Sequence, residues 1–141
     1  MSVRVGDRQK GKLQVLYKAR VLKRYSLAIL KNEKYFPKST RWLYASPIQA
    51  EIRGACSCIK RANATFVTDS VTRDIEYRYR ASQQIEAYAH LEALVDLIED
   101  VYLANYISGR QAEHWTKLIM ELEQLLKSWE RSDKDKYMSK G

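Results

Sequence analysis

From Ile48, the side chains Ile52, Ala55, Ile59, Ala62 and Phe66 follow at steps of four, three, four, three and four residues. A helix gathers residues so spaced onto one stripe, and a stripe nearly three heptads long has to be covered by other helices rather than by water. Three further stretches repeat the device. Val15, Ala19, Leu22, Ser26 and Ile29 form one stripe, and Ala112, Trp115, Ile119, Leu122, Leu126 and Trp129 another. Between them lie Ile75, Tyr79, Ile85 and Ala89, followed by Leu91, Leu94, Val95, Ile98, Val101 and Tyr102. Five Gly and two Pro in 141 residues leave few places to break a helix, and no alternating run bounded by turns argues for a strand.

The spacing predicts helices over roughly 9–34, 39–66, 69–105 and 109–132, in a single domain spanning 1–132. The polar, aperiodic stretch 133–141 reads as a flexible tail. Pro37 pushes Phe36 towards extended geometry and ends the first helix, after which Ser39 is placed to cap the second. Pro47 either kinks the second helix or is its true first residue with Ser46 as the cap. Thr68, Asp69 and Ser70 offer caps for the third helix, and Ser108 with Gln111 fits a capping box at the fourth. Short turns between helices of similar length force antiparallel neighbours, so the expected architecture is an all-α, up-down-up-down four-helix bundle.

Little in the chain suggests a reaction. His90 and His114 lie in different helices without a matching acidic spacing, and His90 four residues after Glu86 reads as a surface pair rather than a ligand set. There is no Gly-rich phosphate loop and no nucleophile elbow. Cys56 and Cys58 point to different faces of one helix and cannot bridge each other there. They read as reduced thiols of a cytoplasmic protein, one of them in the core. No apolar run approaches the roughly 18 to 20 residues of a membrane span, and the first residues show no secretory pattern. The expectation is therefore a protein without catalytic residues, metal, cofactor or membrane segment.

Charge is distributed unevenly. Twelve of the first 41 residues are Lys or Arg and two, Asp7 and Glu33, are acidic, whereas the remaining hundred carry thirteen basic and fifteen acidic side chains. At about 100° per residue from Leu22, Arg20, Lys23, Arg24, Lys31 and Lys34 fall opposite the core stripe. Lys38 and Arg41 carry the charge into the second helix, and Arg53, Lys60 and Arg61 extend it. A face so poor in acids suits phosphate contacts, which draw salt-sensitive affinity from counterion release. The same outward face carries Leu13, Leu16 and Leu27, which predicts packing against a sister subunit in a homo-oligomer. Tyr77, Tyr79 and Arg80 are candidates for stacking on bases.

Three motifs resemble a known group. They are Phe36-Pro37-Lys38 followed by Arg41, Ala62-Asn63 late in the second helix, and the ending Leu125-Leu126-Lys127-Ser128-Trp129-Glu130-Arg131-Ser132. Their order and spacing resemble the accessory variability determinant (Avd) family of diversity-generating retroelements, within the wider set of four-helix proteins encoded in ribosomal RNA intervening sequences. The resemblance implies a non-catalytic, homopentameric barrel of bundles that binds the element's reverse transcriptase and acts with it on template RNA and cDNA in mutagenic retrohoming. It implies contact with RNA, DNA or the polymerase for Arg20, Lys23, Arg24, Lys31, Lys34 and Arg41. Phe36 and Pro37 would fix the loop, and Trp129 would pack at the bundle's end. The chain departs from the family pattern at Pro47 and at Glu130. The alternative is a structural or protein-interaction bundle of the intervening-sequence type, whose basic face is incidental.

Overall fold

The computed structural model describes the backbone of residues 5–138 and side chains from residue 13 onward. Four long helices are present and, among the described residues, no strand: α1 (Val5–Lys31), α2 (Ser46–Ala64), α3 (Arg73–Leu103) and α4 (Gly109–Met138). They enclose one apolar core, consistent with a four-helix bundle. Val15, Ala19, Leu22 and Ile29 of α1 meet Ile48, Ile52, Ala55, Ile59 and Ala62 of α2, with Leu91, Leu94 and Ile98 of α3 and Trp115, Ile119, Leu122 and Leu126 of α4. Ser26 belongs to this core because the buried Trp115 needs it. The indole Nε1–H donates to Ser26 Oγ at 2.8 Å, and that hydroxyl donates to the Leu22 carbonyl at 2.7 Å. No helix among the described residues is long and apolar enough to cross a membrane.

The entry into α2 is not the simple Ser39 cap the sequence suggests. The chain forms a 3-10 turn over Lys38–Thr40, then a π-helical turn over Arg41–Ala45, and only then the α-helix. Pro47 accounts for the sequence of turns. It has no N–H to give a carbonyl one turn back, and its ring crowds the carbonyl four residues earlier. The wide π turn loosens that crowding, with Ser46 N–H donating to Arg41 O, five residues back. Ser46 opens α2 without a side-chain cap, and Pro47 sits harmlessly in the first turn.

The other ends behave differently from one another. Phe66 does not continue the α2 stripe: the helix stops at Ala64, Thr65 turns extended, and Phe66 lies 72% exposed. α3 starts at Arg73 rather than near 69, and Thr68, Asp69 and Ser70 are loop residues rather than caps. Thr68 N–H and Oγ1–H donate to Glu76 Oε1 at 2.9 and 2.8 Å, which holds the Glu76 carboxyl below its ordinary range. At the far end of α3, Asn105 adopts φ 68°, where Asn is tolerated. Tyr106 N–H then reaches Val101 O and Asn105 N–H reaches Tyr102 O, the paired bonds of a Schellman stop. The capping box of α4 forms as expected: Gln111 N–H donates to Ser108 Oγ at 3.1 Å, and Ser108 N–H to Gln111 Oε1 at 2.8 Å.

Two larger corrections concern α3 and α4. Ile75, Tyr79, Ile85, Ala89 and Tyr102 are exposed. The buried line of α3 instead runs Arg80, Gln84, Ala87, Leu91, Leu94, Ile98 and Val101, so its first turns bury polar side chains. The partner of that polar end is Asp133. It lies on a helix that continues to Met138, where the sequence suggested a flexible tail from residue 133. Arg80 grips Asp133 with two bonds, Nε to Oδ2 at 2.7 Å and Nη2 to Oδ1 at 3.1 Å, and Gln84 Nε2 donates to Oδ2 at 2.8 Å. Residues 139–141 lie outside the described residues.

Candidate nucleic-acid interface

All ten cations singled out from the sequence, Arg20, Lys23, Arg24, Lys31, Lys34, Lys38, Arg41, Arg53, Lys60 and Arg61, are exposed. Their exposure follows from the phase of two helices. In α1 the core stripe holds one side, and four of the cations take the other. In α2, Arg53 and Lys60 are seven residues apart and so share a face, on the side away from Ile52, Ala55 and Ile59.

Cations of both helices act on Cys56, a half-buried thiol of α2. Burial pushes the Cys56 thiol up, while Lys23 of α1 and Lys60 of α2 both pull it down. Both ammonium groups are thus close enough to Cys56 for their charges to reach it, one from α1 and one from α2. Arg61 leans the other way. Its charge acts on Cys58, whose thiol donates to Glu86 Oε2 of α3 at 3.7 Å. Arg61 thus sits at the α2–α3 edge rather than in the α1–α2 group.

Ion pairing separates these cations from the structural ones. Lys18 of α1 donates to Glu121 Oε2 of α4 at 2.9 Å and holds that carboxyl below its ordinary range. Lys38 lies 3.6 Å from Glu33, with both side chains largely in water, where such a pair is weak. Among the described residues, no carboxylate comes within ion-pairing distance of the other nine. Charges without internal partners attract counterions, and a polyanion releases them on binding. A groove of about 620 Å³ between α3 and α4 has the opposite balance, lined by Val95, Ile98, Tyr102 and Met120 with Glu99, Glu113 and Glu121 against Lys117. It does not suit phosphate.

The loop that follows α1 is firmly built. Asn32 O accepts from Tyr35 N–H and Phe36 N–H, each at 3.0 Å, and Asn32 Oδ1 accepts from Lys34 N–H at 3.0 Å. Phe36 is fully buried and meets the Tyr106 ring edge-on at 5.7 Å, and Tyr44 meets the same ring at 5.1 Å. Thr40 closes the turn through N–H and Oγ1–H, both to Pro37 O at 2.9 Å. Phe36 thus anchors the segment, with Pro37, Lys38 and Arg41 displayed on its surface.

Other expected residues fall apart or change role. Arg80 is buried in the Asp133 pair with its guanidinium 5.0 Å from the Trp129 ring, so it does not meet bases. Tyr77 is half-buried against Tyr137, with ring centroids 5.7 Å apart, and Tyr79 alone of the three stays exposed. Trp129 is buried near the end of α4, and Asn63 is half-buried in α2. Leu16 packs against the chain's own core, so it is not free for a sister subunit. Leu13 is 63% exposed and Leu27 is partly covered. Sequence reasoning passed over Trp42, which is 84% exposed on the π-helical turn, and Leu43 beside it. A signal was present: counted back from Ile48, Trp42 falls about 120° off the core stripe.

No protein-family model, curated protein or solved structure matches the chain.

Proposed function

We propose that this chain is a non-catalytic, basic accessory subunit that binds nucleic acid through the outward faces of α1 and α2 and the loop between them. One observation carries the reading: nine of the ten candidate cations face solvent with no described carboxylate within ion-pairing distance, while Lys18, outside that set, is paired with Glu121. The resemblance of Phe36-Pro37-Lys38, Arg41, Ala62-Asn63 and the Trp129 segment to the Avd family supplies the finer assignment. On that assignment the partner is a reverse transcriptase, the nucleic acid is template RNA or its cDNA, and the role is support of mutagenic retrohoming.

The same reading takes the helices as an up-down-up-down antiparallel bundle within a homo-oligomer, a pentamer by the resemblance. The contacts of Lys18 with Glu121 and of Ser26 with Trp115, in which one number rises as the other falls, support the antiparallel course of α1 and α4. Leu13 and Tyr17, both exposed on α1, support a contact with a sister subunit.

Mobility-shift titrations of structured RNA and of duplex DNA test the proposal. We expect affinity to fall by at least tenfold between 50 and 200 mM salt, as multiple phosphate contacts require. Lys23→Glu with Arg24→Glu should weaken it further. Binding indifferent to both salt and reversal would sink the reading. The exposed apolar residues on α1 and at Trp42 favour a second one, a protein-interaction bundle with an incidental basic face. A reverse-transcriptase gene beside this one separates the two.

A further inference from the structure

The expected stacking residues do not provide a platform, because Arg80 is buried and Tyr77 packs on Tyr137. The aromatic surface lies elsewhere. Trp42 is 84% exposed, whereas Trp115 is fully buried and Trp129 is 9% exposed. An indole so open to water normally loses stability for its fold, since burial of its large apolar surface is forgone. Here it is held open by construction. The π turn carrying it is set by Pro47 behind, and the 3-10 turn before it is tied by Thr40 to Pro37 O. Tyr44 and Phe36 pin the segment to Tyr106 from either side of Trp42. These contacts fix the backbone on either side of Trp42, which lowers the entropy cost of seating a flat partner.

Its setting identifies the partner. Arg41 immediately precedes Trp42, Lys38 lies one turn earlier, and Lys34 begins the same loop, all exposed. Glu33 is the single acid between Lys31 and Ala45, and it already faces Lys38. An exposed aromatic side chain preceded along the same loop by three exposed cations matches a chain that alternates flat bases with phosphates, since bases stack on the ring while phosphates meet the guanidinium and ammonium groups. A duplex keeps its base faces stacked on one another and offers Trp42 none. We infer that Trp42 is a stacking platform for an unpaired base, with Arg41, Lys38 and Lys34 holding the flanking phosphates, so that the interface prefers single-stranded segments. The inference rests on the nucleic-acid reading above and adds to it the strandedness of the ligand.

The whole chain reports on itself, because Trp42 is the one tryptophan open to solvent. An oligothymidylate of about 15 nucleotides and a duplex of the same length are titrated at 50 mM salt, following tryptophan emission and its quenching by acrylamide. The oligothymidylate should quench emission and shield it from acrylamide, and the duplex should do neither. Read by mobility shift, since these variants lack the reporting indole, Trp42→Ala should lose roughly tenfold or more in single-strand affinity while leaving duplex affinity within about twofold, and Trp42→Phe should recover most of the loss. Far-UV circular dichroism of both variants checks the fold, which an exposed side chain leaves intact.

Salt-dependent binding of both nucleic acids, with Trp42→Ala indistinguishable from the parent or equally weakened for both, overturns the stacking inference and leaves the nucleic-acid reading standing. Absence of binding to either overturns both. An emission change produced by anionic phosphatidylserine vesicles, or by raising protein concentration alone, with none from the oligothymidylate, also overturns it. Trp42 would then be assigned to a lipid surface or to a second copy.

Discussion

Gly54 shows how one missing side chain fixes a contact between helices. A Cβ at that position would stand 2.6 Å from His90 Cε1 and 2.7 Å from Nε2, closer than packed atoms approach. The glycine lets the imidazole lie against α2, where Nδ1 meets Glu51 Oε2 at 2.7 Å. His90 was legible as part of a helical pair, but the pair was read as Glu86, four residues earlier on its own helix. Spacing along one helix says nothing about a residue from the next. Gly54→Ala should cost about 1–3 kcal/mol by overpacking, and adding His90→Ala should return part of that loss. Urea denaturation of both variants measures it, and a double variant no more stable than the single one would refute the contact. Ser26 gives a second case. Ser26→Ala strands the buried Trp115 Nε1–H, an expected loss of about 1–3 kcal/mol that Ser26→Thr does not test cleanly, because the added methyl must also fit.

At the scale of helices, the stripes of α2 and α4 were readable because their inward positions are apolar, as at Ile48, Ile52 and Ile59 or Trp115, Ile119 and Leu126. The first half of α3 was not, since its inward positions are Arg80, Gln83 and Gln84, and a rule that follows apolar letters moves to Ile75, Tyr79 and Ile85 instead. The same blindness truncated α4. Asp133 looks like tail until Arg80 is known to be buried opposite it. Removing one partner of a buried pair leaves a charge without compensation, so Asp133→Ala should cost about 3–5 kcal/mol. A chain ending at Ser132 should be destabilised comparably, whereas removal of a true tail would leave the melting temperature unchanged.

A second polar contact, between α3 and α4, makes stability depend on pH. Glu123 is buried, no described donor reaches its Oε2, and burial together with the neighbouring Glu92 pushes its carboxyl up to about 8. The Glu92 carboxyl is held down, chiefly by the hydrogen bond from Glu123. One proton is thus retained between the two. Because the folded value of Glu123 lies above its unfolded value of 4.5, its contribution is fully present below pH 4.5 and is lost as pH rises through about 8. The melting temperature should therefore drop by roughly a few degrees between pH 6 and pH 9, and Glu123→Gln should flatten that slope. An equal slope in the variant would assign it to other groups.

For the molecule as a whole, the ten outward cations were legible and the aromatic platform was not, for one physical reason. Lys and Arg go to the surface by default, so a sequence that places them off the core stripe has nearly placed them in space. An indole goes inside by default, so helical phase alone, which sets Trp42 about 120° off the core stripe, is a weak signal until the π turn displays it. The cost of the basic face falls on the fold, since like charges on α1 and α2 repel one another without described carboxylates between them. Screening relieves that repulsion over distances beyond about 8 Å at physiological ionic strength. Raising sodium chloride from 20 to 200 mM should therefore raise the melting temperature, while the same change weakens polyanion binding. Lys23→Glu should leave stability equal or higher and still lose affinity, because the substitution removes repulsion and breaks no ion pair. Lys18→Glu should do the reverse, losing stability through Glu121 with little loss of affinity. Thermal melts and mobility shifts on these two variants separate the proposed binding face from the structural one, and variants that lost both properties together would deny that division.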